Sequence, residues 1–541
     1  MWIKNKKQAI IIATTVLIIV GLGASLFILT RPGKPLQEAR KDLLPKGSAM
    51  TQYFPKLPVL CAYTSDLTKL IRDYQASKFQ KGYIKSKNYA EFQKSKLYLK
   101  LKDRFNQLGE LAGFGLNLKN LRTFFGHESI LFLYDIGELK MVFATKIPSA
   151  KLSTSALYDV KGKFEERRLN NQPYYVKESE DGRLSFAFAQ VKDTLVISND
   201  MGLFMLYLAS FTKEPDFTKL ATSAFRKTFD NKFIPHDWTL YLNTEALDNR
   251  YFRNYWIFKN YQEISWINEA LIDVEFKDTE IIEQRIFNPK EKLTKIPCHL
   301  TTFLKLLPKD IDYSCFEAST DANVASIKLV EELFPKAASS TFTHIFQTAK
   351  PEMIGRVVNS RFDKNNFLLR LDKAIIIKLA EPKKLNQKGL KEAILSYYQT
   401  QLLATEVKLK FNKEPLKEIY FLELPLLKDN CVSFSIFNDL LILSNSKEFC
   451  QRLCNQPLGK EAEGDMLKLT TINLRKATKT YLRLMEILSC KPNWTDPTDP
   501  IYFKENIGSL LELASTVDKV TIAEYLRENR IYEKAVYEYS K

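Results

Sequence analysis

Glycine is scarce in this chain, at 18 of 541 residues, and that scarcity first excludes the loops that cradle phosphates with several glycines at fixed spacing. The body holds no G-x-G-x-x-G, no G-x-x-x-x-G-K-[ST] and no G-x-S-x-G nucleophile elbow. The three glycines of GELAGFG (109–115) end an amphipathic stretch instead of following a strand, so they read as a helix stop. Histidine is rarer still. It stands only at His127, His236, His299 and His344, with no HExxH and no helical pair. Cys298 and His299 are neighbours, but adjacent residues in an extended segment face opposite ways.

The seven cysteines (Cys61, Cys298, Cys315, Cys431, Cys450, Cys454 and Cys490) are odd in number and match no disulfide framework. Cys450 and Cys454 share one helix face at i, i+4. No second ligand pair accompanies them, so they read as small buried hydrophobes rather than metal ligands. Blocks of like charge are also missing. The formal charge is +17, from 80 basic and 63 acidic side chains, but the lysines are interspersed with acids. That pattern is a solvated basic surface; it permits adhesion to an anionic lipid or polymer and gives no nucleic-acid footprint.

What is present is a large apolar inventory. Apolar residues make up 45 % of the chain, including 36 Phe and 25 Tyr, enough for two or three cored units at this length. Gln8 to Thr30, QAIIIATTVLIIVGLGASLFILT, carries no charge over 23 positions. As a helix it would be about 34 Å long, against a bilayer core of about 30 Å. It is longer than the apolar part of a cleaved signal peptide and lacks an A-x-A site. It therefore reads as a signal anchor, with residues 1–7 as a cytoplasmic tail, 8–30 as a transmembrane helix and 31–49 as a tether.

The body alternates helical and strand patterns. SDLTKLIRDYQASKF (65–79) predicts a helix capped by Ser65, and 88–115 predicts a long one with a buried stripe of Leu97, Leu101, Phe105, Leu108 and Ala112. Residues 128–148 predict two strands around a turn at Asp135–Glu138. Four blocks then recur in one order. KMVFATKIP (140–148) resembles KAIIIKLAEP (373–382). LSFAFAQVKDTLVISN (184–199) resembles VSFSIFNDLLILSN (432–445), read with a turn two residues shorter. WTLYLNTEAL (238–247) resembles LKLTTINLRK (467–476), with Asn243 opposite Asn473. ALIDVEFKDTEIIEQRIF (270–287) resembles KVTIAEYLRENRIYEKAV (519–536). Collinear blocks at offsets of 233, 248, about 229 and about 249 predict an internal duplication. The expected fold is α+β, a transmembrane helix followed by two related halves with antiparallel sheets, 50–292 and 293–541. The repeated Ser198-Asn199 and Ser444-Asn445 each precede a helical run and are expected to cap it.

Candidate chemistry is thin. Asp273 and Glu275 share a strand face, with Glu280 and Glu283 across the turn and Glu524, Glu528 and Glu533 in the second block. Paired acids can cleave glycosidic bonds, but this spacing also suits the solvent face of a hairpin, and that is the expectation. YFRNYWIFKNYQEISWI (251–267) interleaves aromatic and basic residues as a nucleic-acid groove would. Its helical spacing favours a buried face with snorkelling ends. KPNWTDPTDPIYF (491–503) is a proline-rich surface loop with a formal sequon at Asn493. No catalytic, cofactor-binding or metal-ligating residue is assigned.

NYAEFQKSKLYLKL, GHESILFLYDIGELKMVFATKIP, RYFRNYWIFKNYQEI and EIIEQRIF resemble a family of large, single-span bacterial envelope proteins of unknown function. The resemblance runs through most of the first half and brings no site residues. It implies a bacterial inner-membrane protein with its bulk in the periplasm. The expected function is a non-enzymatic scaffold, assembly or accessory protein, held in the bilayer by residues 8–30 and bound to other envelope proteins. A lipid-binding or apolar-ligand-binding protein is the alternative, and an envelope hydrolase using Glu275 or Glu283 the third reading.

Overall fold

Strand alternation in the sequence is realised as a succession of antiparallel pairs, seen in a computed structural model. The structure describes residues 58–76, 84–85, 89–90, 93–94, 96–135, 138–211, 236–243, 267–277, 279–291, 300, 303, 307–308, 310–318, 322–334, 339–363, 368–401, 409–414, 418–422, 432–456, 466–480, 514, 516–527 and 529–539. The chain divides into two compact units, the first ending at Glu291 and the second running from Lys292 to Ser540. Both are α+β.

The first unit has strands β1 (Leu60–Thr64), β2 (Ser129–Asp135), β3 (Lys140–Lys146), β4 (Glu165–Leu169), β5 (Gln172–Glu178), β6 (Ser185–Val191), β7 (Thr194–Ser198), β8 (Trp238–Asn243), β9 (Ile267–Phe276) and β10 (Glu280–Pro289). Their pairings give the order β4-β5-β6-β7-β3-β2-β1-β8-β9-β10. The second unit has β11 (Tyr313–Ala318), β12 (Pro351–Asp363), β13 (Leu368–Leu379), β14 (Phe411–Glu414), β15 (Ile419–Leu422), β16 (Val432–Phe437), β17 (Leu440–Ser444), β18 (Met466–Ile472), β19 (Lys519–Arg527) and β20 (Arg530–Glu538). Its order is β14-β15-β16-β17-β13-β12-β11-β18-β19-β20. Counted from the first strand of each unit, the two orders are the same.

Helices fall at the same points of that order. In the first unit α1 (Leu67–Ala76), α2 (Lys96–Ala112) and α3 (Leu118–Phe124) separate β1 from β2, and α4 (Met201–Phe211) follows β7. In the second, α5 (Ala322–Leu333) and α6 (Ser339–Ala349) separate β11 from β12, α7 (Gln387–Gln401) follows β13, and α8 (Lys447–Cys454) follows β17. One sheet face of the first unit packs Phe132, Val142, Ala189 and Val196 around Phe204, Tyr207 and Leu208 of α4. The other packs Phe188, Leu195 and Ile197 against Leu108, Phe124 and the helical turns after β3. The second unit repeats this layering, with Phe449 and Leu453 of α8 on one face and Ile327, Phe346 and Ile394 on the other. A strand covered on both sides has no solvent face. That is why all five residues of β7 and all five of β17 are buried and their sequences read as unbroken apolar runs. Each fully buried Phe or Leu contributes about 1.5–3 kcal/mol.

Several sequence expectations shift. The cap of α1 is Asp66, whose Oδ1 accepts from Lys69 N at 2.8 Å, rather than Ser65. Helix α2 begins at Lys96, inside the predicted 88–115. Leu101, Leu108 and Ala112 of its stripe are buried and Phe105 is packed against the core. Gly113 ends the helix at φ +81°, which a side chain would resist. The turn between β2 and β3 is tied by Glu138 N donating to Asp135 Oδ1 at 2.8 Å.

The two similar hairpins have equal turns, contrary to the sequence reading. Val191 pairs with Thr194 around Lys192-Asp193, and Phe437 pairs with Leu440 around Asn438-Asp439. Lys192 and Asn438 share φ 56°. The offset is therefore 246 and Phe188, not Phe186, corresponds to Phe434. Nor do the Ser-Asn pairs cap the following helices. Asp200 and Ser446 do, through Leu203 N at 3.0 Å and Phe449 N at 3.3 Å. Asn199 instead clasps the start of β3, donating to Leu139 O at 2.8 Å and accepting from Met141 N at 2.9 Å. Asn445 does the same to Leu371 O (2.8 Å) and Lys373 N (2.7 Å). A carboxamide carries both a donor and an acceptor, so it can replace one missing rung of a ladder.

Among the described residues no helix is long and apolar enough to cross a membrane. The expected span 8–30, the tether 31–49, Cys298, His299, Glu528, the 491–503 loop and residues 251–266 of the aromatic stretch lie outside the described residues.

Candidate functional site

At one end of the first unit, strand pairing collects charges that the sequence holds far apart. β8 pairs with β9 so that Thr239 faces Asp273, and β1 on the other side of β8 leads directly into α1. Asp273 is 1 % exposed. A carboxylate so buried must be fully paired, and it is. Its Oδ1 accepts from His236 N at 3.0 Å and from Thr239 Oγ1 at 2.8 Å, while Oδ2 takes the His236 ring at Nδ1. An ionised Asp273 can only accept, so Nδ1 is the donor in that contact, and Nε2 lies 4.0 Å from Glu275 Oε2.

A second layer braces the first. Asp237 accepts from Phe276 N at 2.9 Å and pairs with Lys69 of α1 at 2.6 Å. Thr64 Oγ1 donates to the Asp237 carbonyl at 2.7 Å. Lys277 bridges Glu275 (3.5 Å) and Glu280 (3.3 Å). Ser65, Asp66, Lys69 and Asp73 line a shallow hollow beside Asp237 and Phe276. The hydrogen bond that the ring donates to Asp273 raises the His236 pKa above the usual histidine value, helped by the charges of Asp273, Glu275 and Asp237 and opposed by partial burial. Lys69 is raised chiefly by its bond to Asp237.

The second unit supplies an internal comparison. In the β18–β19 pair, Leu469 faces Ala523 where Thr239 faces Asp273 in β8–β9. Met466 stands three residues before Leu469, as His236 stands before Thr239. Met466, Leu469 and Ala523 are all buried. One strand order thus closes at this position with a wholly apolar set. The His–Asp–Thr cluster, in which Thr239 and Asp273 are buried and His236 is partly exposed, is an addition to the scaffold rather than something the scaffold demands.

The expected solvent face is corrected for Asp273 and Glu283, which are 1 % and 0 % exposed; Glu275, Glu280, Glu524 and Glu533 are partly exposed. Glu283 faces Val274, on the opposite side from Asp273 and Glu275, and is held bidentately by Arg285 at 2.7 and 2.8 Å. Glu275 and Glu283 therefore stand on opposite faces of the hairpin. Glu524 and Glu533 face each other across β19 and β20. Cys450 and Cys454 lie in the core on α8. His344 is exposed on α6, and His127 lies 3.4 Å from Asp66. Sequence reasoning passed over His236, since 37 residues separate it from Asp273 and only the β8–β9 register unites them.

Both carboxylates beside the ring favour a proton on the imidazole, Asp273 at Nδ1 and Glu275 4.0 Å from Nε2. No protein-family model matches this sequence, and no curated protein matches it. Among solved structures, one described as "Structure of crystal form III of TP0453" aligns over 47 % of this chain and 84 % of that chain, at 10 % identity and a TM-score of 0.22.

Proposed function

We propose that this chain is a duplicated, membrane-anchored scaffold or assembly protein of the bacterial envelope, non-enzymatic, with its body outside the cytoplasm. The observation that carries the reading is the repetition of one ten-strand order in two compact units. Matched details support common descent of the units. Asn199 and Asn445 make the same clasp. Tyr175 stacks on Phe188 at 5.1 Å under Lys161, and Tyr420 stacks on Phe434 at 5.0 Å under Lys391. Two related units on one chain present two related surfaces, which suits a protein that brings partners together. The uncharged 23-residue run at Gln8–Thr30 supplies the anchor.

The lipid-binding alternative is less favoured. The sheet faces available to an apolar ligand are filled by the chain's own Phe204, Tyr207, Phe449 and Leu453. The +17 charge supports a looser adhesion to anionic lipid or polymer. The deciding experiment is mild crosslinking of the full-length chain in intact cells, then detergent extraction. Defined heteromeric species carrying other envelope proteins are expected. A clean monomer throughout, or a body digested by protease only after the cytoplasm is opened, would overturn the proposal.

A further inference from the structure

The His236 cluster lies where three elements meet: the residues entering β8, the C-terminal half of β9, and the first turn of α1. Its contacts tie the three together. The ring holds Asp273 and faces Glu275 on β9, and the next residue, Asp237, holds Phe276 N on β9 and Lys69 on α1. Facing charges are Asp273, Glu275 and Asp237, with Lys277 already engaged by Glu275 and Glu280, and Lys69 by Asp237. With a neutral ring, three carboxylates face the imidazole and the two lysines are spent on their own partners. With a charged ring, Nδ1 donates to Asp273, Nε2 carries an N–H that faces Glu275 at 4.0 Å, and the acid excess is offset where the strands join.

We propose that His236 is a pH-operated latch: the protonated ring clamps the entry of β8 to Asp273 and Glu275 of β9, and the neutral ring releases the Glu275 side and loosens this end of the first unit. The direction follows from linkage. A histidine whose pKa is higher folded than unfolded contributes its full stabilisation below the unfolded value of about 6.5. That contribution is lost as pH rises through the higher folded value, so the latch closes on the acid side. The second unit has Met466, Leu469 and Ala523 at the corresponding positions, so its β18–β19 end carries no such switch.

The chain has four histidines, few enough for ring-carbon NMR of the full-length protein in detergent, with His236→Gln assigning the resonance. His236 is expected to titrate above about 6.5. Hydrogen exchange, corrected for its chemical pH dependence, should show protection of 236–243 and 267–277 falling through that same titration, with 466–472 and 519–527 unaffected. His236→Gln should abolish the dependence. Glu275→Gln keeps the bond to Asp273 and should move the titration and the loss of protection to lower pH together, which keeps the idea testable if the first variant folds poorly. Equal pH dependence in wild type and His236→Gln would overturn the latch, and so would a His236 titration at the ordinary histidine value with protection unchanged.

Discussion

Replacing Asp273 by Ala alone should be far more damaging than replacing the cluster by the residues of the second unit. The single change leaves His236 N, its ring Nδ1 and the Thr239 hydroxyl without the carboxylate that now accepts all three, in a site where Asp273 is 1 % exposed. Removing one member of such a buried charged set costs about 3–5 kcal/mol. At about 2–4 °C per kcal/mol for a unit of this size, the first unit should lose roughly 6–20 °C of midpoint. The triple change His236→Met, Thr239→Leu and Asp273→Ala installs the side chains that Leu469 and Ala523 place at the same register and that Met466 places three residues before Leu469. Exchange of buried ionic groups for packed apolar ones runs from neutral to about 1–4 kcal/mol stabilising. The single losses should therefore be strongly non-additive, as expected of groups in one network. The assay is proteolysis across a thermal ramp, read by cleavage within the first unit, with the second unit as internal control. A triple variant as unstable as Asp273→Ala would refute both the correspondence between the units and the claim that the scaffold does not need the charge.

Other expectations rest on separate observations. Gly126→Ala would set its Cβ 1.7 Å from the Lys146 carbonyl oxygen; the end of β3 must move, and a loss of at least about 1–3 kcal/mol should appear in denaturant unfolding. Gly162→Ala, with nothing within 4 Å, is the control and should be nearly silent. Asn199→Ala and Asn445→Ala each remove two hydrogen bonds; Asn199 serves the buried Leu139, so its loss should cost the first unit about 1–3 kcal/mol, whereas Leu371 is exposed and water can replace Asn445 there, so the second unit should lose less, each read by exchange protection of β3 or β13. Thiol alkylation should spare Cys61 and Cys450 in the native protein and reach them on unfolding. Burial pushes up the Cys61 thiol, and the bond to Cys454 followed by burial pushes up Cys450. Mass spectrometry of the alkylated peptides decides it.

Much of the architecture was legible because it depends on local periodicity. The amphipathic stripe of α2, its glycine stop and the turn after Asp135 are set by residues within a few positions of one another. The two-unit plan showed as four collinear blocks for the same reason. Register was not legible. Offsets of 248 and 246 between the two similar hairpins differ by two, which keeps every side chain on its face and leaves the alternation equally good. For β3 and β13 the resemblance of Lys140 to Lys373 suggested 233. The pairings of Val142 with Ser198 and Ala374 with Ser444 give 232, and a single-residue slip exchanges the two faces of a strand.

The candidate site lay beyond sequence reading for a related reason. Asp273 and Glu283 have the alternation of an exposed hairpin, and nothing within β9 or β10 reveals that these two side chains are buried. The sequence by itself determined composition, the uncharged N-terminal run, the order of helices and strands and their repetition, since these follow from short-range propensity and apolar pattern. Only tertiary structure decided which strands lie side by side, that Asn199 clasps a strand instead of capping a helix, and that His236 meets Asp273. Those outcomes depend on long-range pairing, where the free energy of closing a sheet over its own core selects one register from several that the local sequence leaves nearly equal.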